Sequence, residues 1–321
     1  MNTSVPQTMK AAAIGRFGGP EVLELMSLPV PRPRAGQVLI RLDAAGIGVW
    51  DPEVRAGEVE LGPKRGFPQV IGNDGAGTVV ALGSAVKRFK VGDRVYAFAY
   101  EGGFYAEYVA VSADDVARVP PGLSSREAGA LGADGITALL GLDDTLHLKK
   151  GETVMIFGAS GGIGHIAVQL AKRMGAKVLA VASKPDGVAL VRRLGADAAI
   201  DGHKNDVAKA VRAFAPEGLD AALVLAGGRG LAAALKAMKK GARVAHPNGV
   251  EPEPRAPKGV RVRGYDGLPA REAFERLNRL IGRKRFHVEL GRVYRLGQAA
   301  SAHRQVGKHH LGKLAFEIRP S

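Results

Sequence analysis

The chain has 321 residues, more than one hydrophobic core usually serves, so two domains are expected. It contains no cysteine, which excludes disulfides, thiolate nucleophiles and every cysteine-ligated zinc site, and 46% hydrophobic residues suit a water-soluble globular protein. The net charge of +15 raises the question of a nucleic-acid partner, but the 46 basic residues are spread along the chain, with Arg-Lys-Arg at 283–285 the one dense run, and this argues against such a partner.

No apolar run approaches the roughly 18 residues that span a membrane. The opening MNTSVPQTMK lacks the apolar centre of a secretory signal, so the expectation is a cytoplasmic protein, with the first eight residues a loose tail and Met9 an alternative start.

In chain order, the first 120 residues read as β. Apolar or alternating runs at 38–48, 75–83, 93–100 and 104–111 are bounded by glycine, proline and aspartate, and the Pro-rich 29–36 is a connector. Crowded short strands of this kind predict a small barrel or sandwich. The pattern then changes: Ser124 or Ser125 caps a helix with Glu127 reaching back, and apolar spacing predicts that helix over 127–142. Strands at 153–159, 177–183, 198–201, 219–227 and 242–249 alternate with helices at 161–174, 187–194, 205–214 and 230–239. Strands separated by single helices pair in parallel through right-handed crossovers, so a doubly wound sheet is expected. The stretch 250–267 breaks this rhythm. A helix near 270–282, a strand over 289–297, a short helix and a strand over 312–318 close the chain, and this tail is expected to return to the first domain.

The motif with most chemical content is GASGGIG at 158–164. It follows an apolar strand and opens an amphipathic helix, the setting in which a glycine turn binds a dinucleotide. Gly158 permits the tight exit, Gly161 lets the backbone approach a pyrophosphate, and Gly164 lets helix pack on strand. The helix N-terminus turns N–H groups and partial positive charge toward the phosphates. The next strand ends in AVASK. Where a free ribose 2′-hydroxyl would call for an acid stand Ala182, Ser183 and Lys184, and a hydroxyl plus an ammonium suits a 2′-phosphate.

These blocks resemble the medium-chain dehydrogenase/reductase superfamily in its zinc-free quinone oxidoreductase branch. MKAAAIGRFGGPEVLEL, VLIRLDAAGIG, IGNDGAGTVVALGSAVKRFKVGDRVYAF, the glycine turn, RRLGADAAID and QAASAHRQVGKHHLGKLAFEI follow its pattern in its order. The resemblance implies an α/β chain: a Rossmann domain over 125–265, and a GroES-like β-rich catalytic domain made from 1–124 and 266–321. It also implies NADPH and a homodimer joined through the nucleotide sheets. The candidate cofactor set is Gly158, Ser160, Gly161, Gly162, Ile163 and Gly164, with Ser183, Lys184 and Thr137, the last resembling a family threonine that meets the nicotinamide.

Zinc-dependent relatives carry a cysteine where this chain has Gly48 and a histidine where it has Asn73, so no metal is expected. The acidic position of that loop is kept as Asp51. With no metal and no Ser-Tyr-x-x-x-Lys arrangement to acidify a hydroxyl, alcohol oxidation is disfavoured. Reduction of a quinone or an α,β-unsaturated carbonyl needs mainly a positioned hydride donor and a dry site. Asp51, Trp50 and Tyr105 are the candidates for the substrate pocket, set against a loop-fixing role for Asp51 and core packing for the other two. Asp74 reads as structural, and His309–His310 as solvated loop residues. The expected partner is a small electrophilic substrate. Two alternatives stay open: a reductase of 2-alkenals or unsaturated acids, and an RNA-binding protein regulated by NADPH.

Overall fold

The computed structural model describes residues 5–60, 66–282 and 285–319, so Arg283 and Lys284 of the basic run lie outside the described residues. The strands in chain order are β1 Thr8–Ile14, β2 Leu23–Pro29, β3 Gln37–Ile47, β4 Gln69–Val70, β5 Asp74–Leu82, β6 Arg94–Phe98, β7 Tyr108–Ser112, β8 Val116–Arg118, β9 Thr153–Phe157, β10 Lys177–Ala182, β11 Ala198–Asp201, β12 Leu219–Val224, β13 Met238–Pro247, β14 Arg261–Tyr265, β15 Leu290–Tyr294 and β16 Lys313–Glu317. The helices are α1 Asp51–Ala56, α2 Ser125–Gly129, α3 Gly132–Leu139, α4 Gly162–Arg173, α5 Lys184–Arg193, α6 Val207–Phe214, α7 Leu231–Leu235, α8 Arg271–Ile281 and α9 Ala299–His303. None of the described helices is long and apolar enough to cross a membrane.

Two compact units result: 1–133 with 269–278 and 290–321, and 134–268 with 279–289. The first boundary therefore falls after Ala133 rather than after 124. The tail is not one block, because 279–289 lies with the second unit. Side chains on one face of α4 hold that segment. Gln169 exchanges two hydrogen bonds with the His287 backbone, and Arg173 donates to the carbonyls of Leu280, Ile281 and Arg285.

In the first unit, β3 pairs antiparallel with β5, β7 and β16. Its inward residues Val38, Ile40 and Leu42 join Val79, Val95, Phe104 and Val109 in one core. Register shifts on the β3–β5 ladder bend the sheet. Gly77 must be glycine, since a Cβ there would collide with the Arg41 carbonyl. A second sheet, β2-β1-β4, was legible only as part of a β-rich region. Its first strand begins at Thr8, the last residue assigned to a loose tail.

The second unit holds six parallel strands in the order β11-β10-β9-β12-β13-β14. β9 and β12 are neighbours although two strands intervene in the chain, so the order reverses between them, and in open α/β sheets ligands bind at the carboxyl ends of the strands at such a reversal. β14 lies inside the stretch that seemed to break the rhythm. Its polar sequence RVRGY is that of an edge strand with a half-solvated face, which apolar periodicity does not detect. Likewise β13 starts at Met238, inside the segment expected to finish a helix.

The helix expected over 127–142 is interrupted. Ser124 caps α2 in a reciprocal capping box with Glu127. The helical path then breaks before α3 and widens into a π-turn over Leu140–Thr145. Packing is the cause. A Cβ on Gly129 would come within 2.8 Å of Ala44, and one on Gly132 within 2.7 Å of the Ala97 carbonyl. Both positions are thus held to the residue that weakens a helix interior.

Candidate active site

At the glycine turn, the three glycines do three different things. Gly158 has φ 89°, the left-handed region that favours glycine. Gly164 is a packing glycine, because a Cβ would collide with the Gly158 carbonyl and lie 2.7 Å from the Ala159 backbone. Gly161 is neither: its φ of −80° and ψ of −175° are open to any residue, and an added Cβ would meet only the Gly158 carbonyl, at 3.6 Å. A left-handed backbone is therefore not what holds Gly161 as glycine; it leaves open space at the N-cap of α4. Gly162 and half-buried Ile163 follow in the first turn, whose N–H groups have no partner inside the helix. Asp134 of α3 lies against Gly162, where a Cβ would collide with its carboxylate. Sequence reasoning missed Asp134.

Ser160 turns away from the open side. Its buried hydroxyl accepts from the Ser183 N–H at 3.3 Å and packs against Gly187 of α5, so it ties the turn to the end of β10. There Ala182 is buried, Ser183 half-buried and Lys184 exposed. Lys184 has φ 61°, a left-handed conformation that costs a non-glycine residue about 1–2 kcal/mol, directly before Pro185. Strain of this kind gathers at ligand-binding positions. Thr137, one turn along α3 from Asp134, is buried. Its carbonyl accepts from the Tyr265 hydroxyl at 3.0 Å and Gly267 packs on its side chain, which places it with the chain leaving β14.

In the first unit, Asp51 and Tyr105 come together and Trp50 stands apart. Asp51 is 2% exposed; one carboxylate oxygen accepts from the Gly48 N–H at 2.6 Å and the Tyr105 hydroxyl at 2.5 Å. Burial pushes Asp51 up to about 6, against the pull of those two donors and the Lys313 charge. Tyr105 is fully buried in a core with Ile14, Ile71, Leu314 and Phe316, and its hydroxyl faces Asp51 rather than open solvent. That corrects its assignment as a pocket residue: the positive-φ Gly72 lets the ring in, since any Cβ there would strike it. Trp50 is 39% exposed, so core packing does not account for it. Asp74 is structural as expected: it pairs with Lys313 at 3.1 Å and accepts from the Ala133 N–H.

His303, which no motif marked, is buried beside this cluster. Burial, with Arg55 adding to it, holds its pKa down to about 3, and burial holds that of His165 in α4 down to about 4. Both are neutral when folded. Below pH 6.5 the unfolded chain takes up protons that the folded chain refuses, so stability falls as pH falls from about 6.5 toward 4. Asp51 and Asp115, both pushed up to about 6 by burial, oppose this between 3.8 and about 6, where the folded form holds the extra protons. Two histidines stand against these two carboxyls, but the unfolded histidines begin to take up protons near 6.5, above the aspartates' onset near 6, so a net loss remains between pH 7 and 5. The melting temperature is expected to drop between pH 7 and 5, and His165→Gln to flatten that slope; a temperature independent of pH across this range would contradict the assignment.

The residues at the place where relatives hold zinc do not fit that metal. Gly48 offers no ligand atom, and the Asn73 amide donates to the carbonyls of Ala99 and Tyr100. Asp74 is committed to Lys313, and among the described residues no group of three or more candidate ligands converges.

Fold and site together define a two-unit nicotinamide-dinucleotide oxidoreductase. Residues 34–121 match the alcohol dehydrogenase GroES-like domain family, and 162–257 the zinc-binding dehydrogenase family. Quinone oxidoreductase from Sus scrofa is 32% identical over 310 residues, covering 93% of this chain and 94% of its own. A mycobacterial protein solved in complex with NADPH has a TM-score of 0.83 at 28% identity, over 97% of this chain and 100% of its own. An NAD-dependent alcohol dehydrogenase has a TM-score of 0.88 at 29% identity, again over 97% and 100%. The chain belongs to the medium-chain dehydrogenase/reductase superfamily, in its quinone oxidoreductase branch.

Proposed function

We propose that this oxidoreductase uses NADPH to reduce quinones or α,β-unsaturated carbonyl compounds without a metal. The observation that carries the cofactor choice is the end of β10, where exposed Lys184 follows Ala182 and Ser183 and no acid stands. The NADPH complex of a structural relative supports it, although the NAD-dependent relative shows that overall fold does not decide the matter.

When bound, NADPH supplies the hydride. The chain's part is to seat the pyrophosphate at Gly161 and the N-terminus of α4, and to receive the 2′-phosphate at Ser183 and Lys184. Asp51, at 2% exposed, is poorly placed to withdraw a proton from an alcohol. The Tyr105 hydroxyl is enclosed, and one oxygen of Asp51 already accepts two hydrogen bonds. An electrophilic double bond makes no such demand.

The test is NADPH oxidation across quinones, enones, enals and unsaturated acids, before and after exhaustive chelation, with ethanol and 2-propanol offered alongside NADP⁺. Turnover of at least one electrophile class, unchanged by chelation, is expected. Alcohol oxidation at neutral pH matching the best electrophile, or activity lost with a removed zinc, would overturn the reading.

A further inference from the structure

Arg55 and His303 take no part in seating a dinucleotide, yet they end a buried chain of side chains that leads to Asp51. The chemistry of the groups fixes its direction. Arginine only donates, so Arg55 donates a hydrogen bond to His303 Nδ1 across 3.0 Å, while its Nε donates to the Gly18 carbonyl at 2.9 Å and holds it in place. A neutral imidazole carries one N–H, so that hydrogen sits on Nε2 and points to the Tyr105 oxygen at 3.2 Å. With its oxygen occupied as an acceptor, Tyr105 has one proton to give, and it lies 2.5 Å from Asp51.

We propose that Arg55 and His303 are positioning residues, which commit the Tyr105 proton to Asp51 and so set the protonation state that Asp51 presents beside Gly48. Remove the Arg55 charge and the imidazole is free to change tautomer and accept from Tyr105, leaving Asp51 a donor short. Remove His303 and the Tyr105 hydroxyl loses the donor that polarises it. Either change disfavours the carboxylate.

The depressed pKa of His303 agrees, since Arg55 contributes to it after burial. The other groups facing the chain are accounted for. Asp51 also feels Lys313 and Asp74, Tyr105 feels Asp74, and Arg55 feels Glu21 and Glu58. None of these is altered in the variants below.

The experiment follows the carboxyl carbon of Asp51 by NMR across pH in the full-length protein. Wild type is expected to titrate near 6, and His303→Leu and Arg55→Met to move the midpoint up by on the order of one pH unit. His303→Gln, whose amide can donate to the Tyr105 oxygen, brings it back toward wild type. In a Tyr105→Phe background, His303→Leu adds no further shift. An unmoved midpoint in His303→Leu, or the same shift with and without the Tyr105 hydroxyl, overturns the proposal. Should His303→Leu fail to fold, Tyr105→Phe alone decides it, because the ring packing is kept and an unmoved midpoint contradicts the chain.

Only the kinetic arm rests on the reductase reading: any kcat/KM inflection due to Asp51 shifts in step with the NMR midpoint. A moved midpoint with no turnover of any electrophile refutes the reductase and leaves the network standing. Turnover with an unmoved midpoint does the reverse.

Discussion

Gly161→Val is expected to fold normally and to lose dinucleotide binding by at least about 100-fold, the equivalent of roughly 2.7 kcal/mol. The backbone at 161 lies in the β region that valine favours, and an added Cβ meets only one carbonyl, at 3.6 Å. The protein alone gives no reason for glycine at this position. The space serves whatever approaches the N-terminus of α4, and a branched side chain fills it. Gly164→Val is the contrasting control. There the new side chain runs into the Gly158 carbonyl and the Ala159 backbone inside the fold, and the melting temperature should collapse instead. Calorimetric titration with NADPH and thermal unfolding of both variants distinguish the two roles. A stable Gly161→Val protein with wild-type affinity would remove the turn from the cofactor site.

Lys184→Asn is expected to weaken NADPH 10- to 100-fold while leaving NADH nearly unchanged. One charge-assisted hydrogen bond to a 2′-phosphate contributes about 1.5–3 kcal/mol, and asparagine tolerates the φ of 61° that Lys184 adopts. Backbone strain is thus kept similar and the charge alone is removed. Adding Ala182→Asp should turn the preference toward NADH. Ala182 ends β10 and faces Gly187 in the first turn of α5, so a carboxylate there sits at a helix N-terminus, accepts from a ribose hydroxyl and repels a phosphate. The measurement is kcat/KM for both cofactors, with salt varied. Raised salt should weaken NADPH more than NADH in wild type and equally in Lys184→Asn. A wild-type preference for NADH would refute the assignment of this strand end.

Several features of this protein were legible in the sequence because they rest on neighbouring residues. The apolar strand before Gly158, the turn and the amphipathic α4 form one continuous segment, and their spacing specifies a dinucleotide turn before any tertiary contact is known. The Ser124–Glu127 capping box is equally local, and the missing acid at Ala182 is read from one strand end. The α/β class and the parallel doubly wound sheet follow from the alternation of strands and helices.

What the sequence could not decide depends on groups distant in the chain. His303 lies 198 positions from the Tyr105 hydroxyl and 248 from Arg55, so no local spacing links them. Trp50 and Tyr105 are both aromatic residues in β-rich sequence. Only packing separates the half-exposed indole from the enclosed phenol, because burial is a property of what folds over a side chain. The helix expected through Gly129 and Gly132 failed for the same reason: β3 and β6 pass too close there for any Cβ. Periodicity reports which face of an element is apolar. Which neighbour covers that face, which edge strand is left polar and which buried donors meet which acceptors are settled only when the whole chain closes on itself.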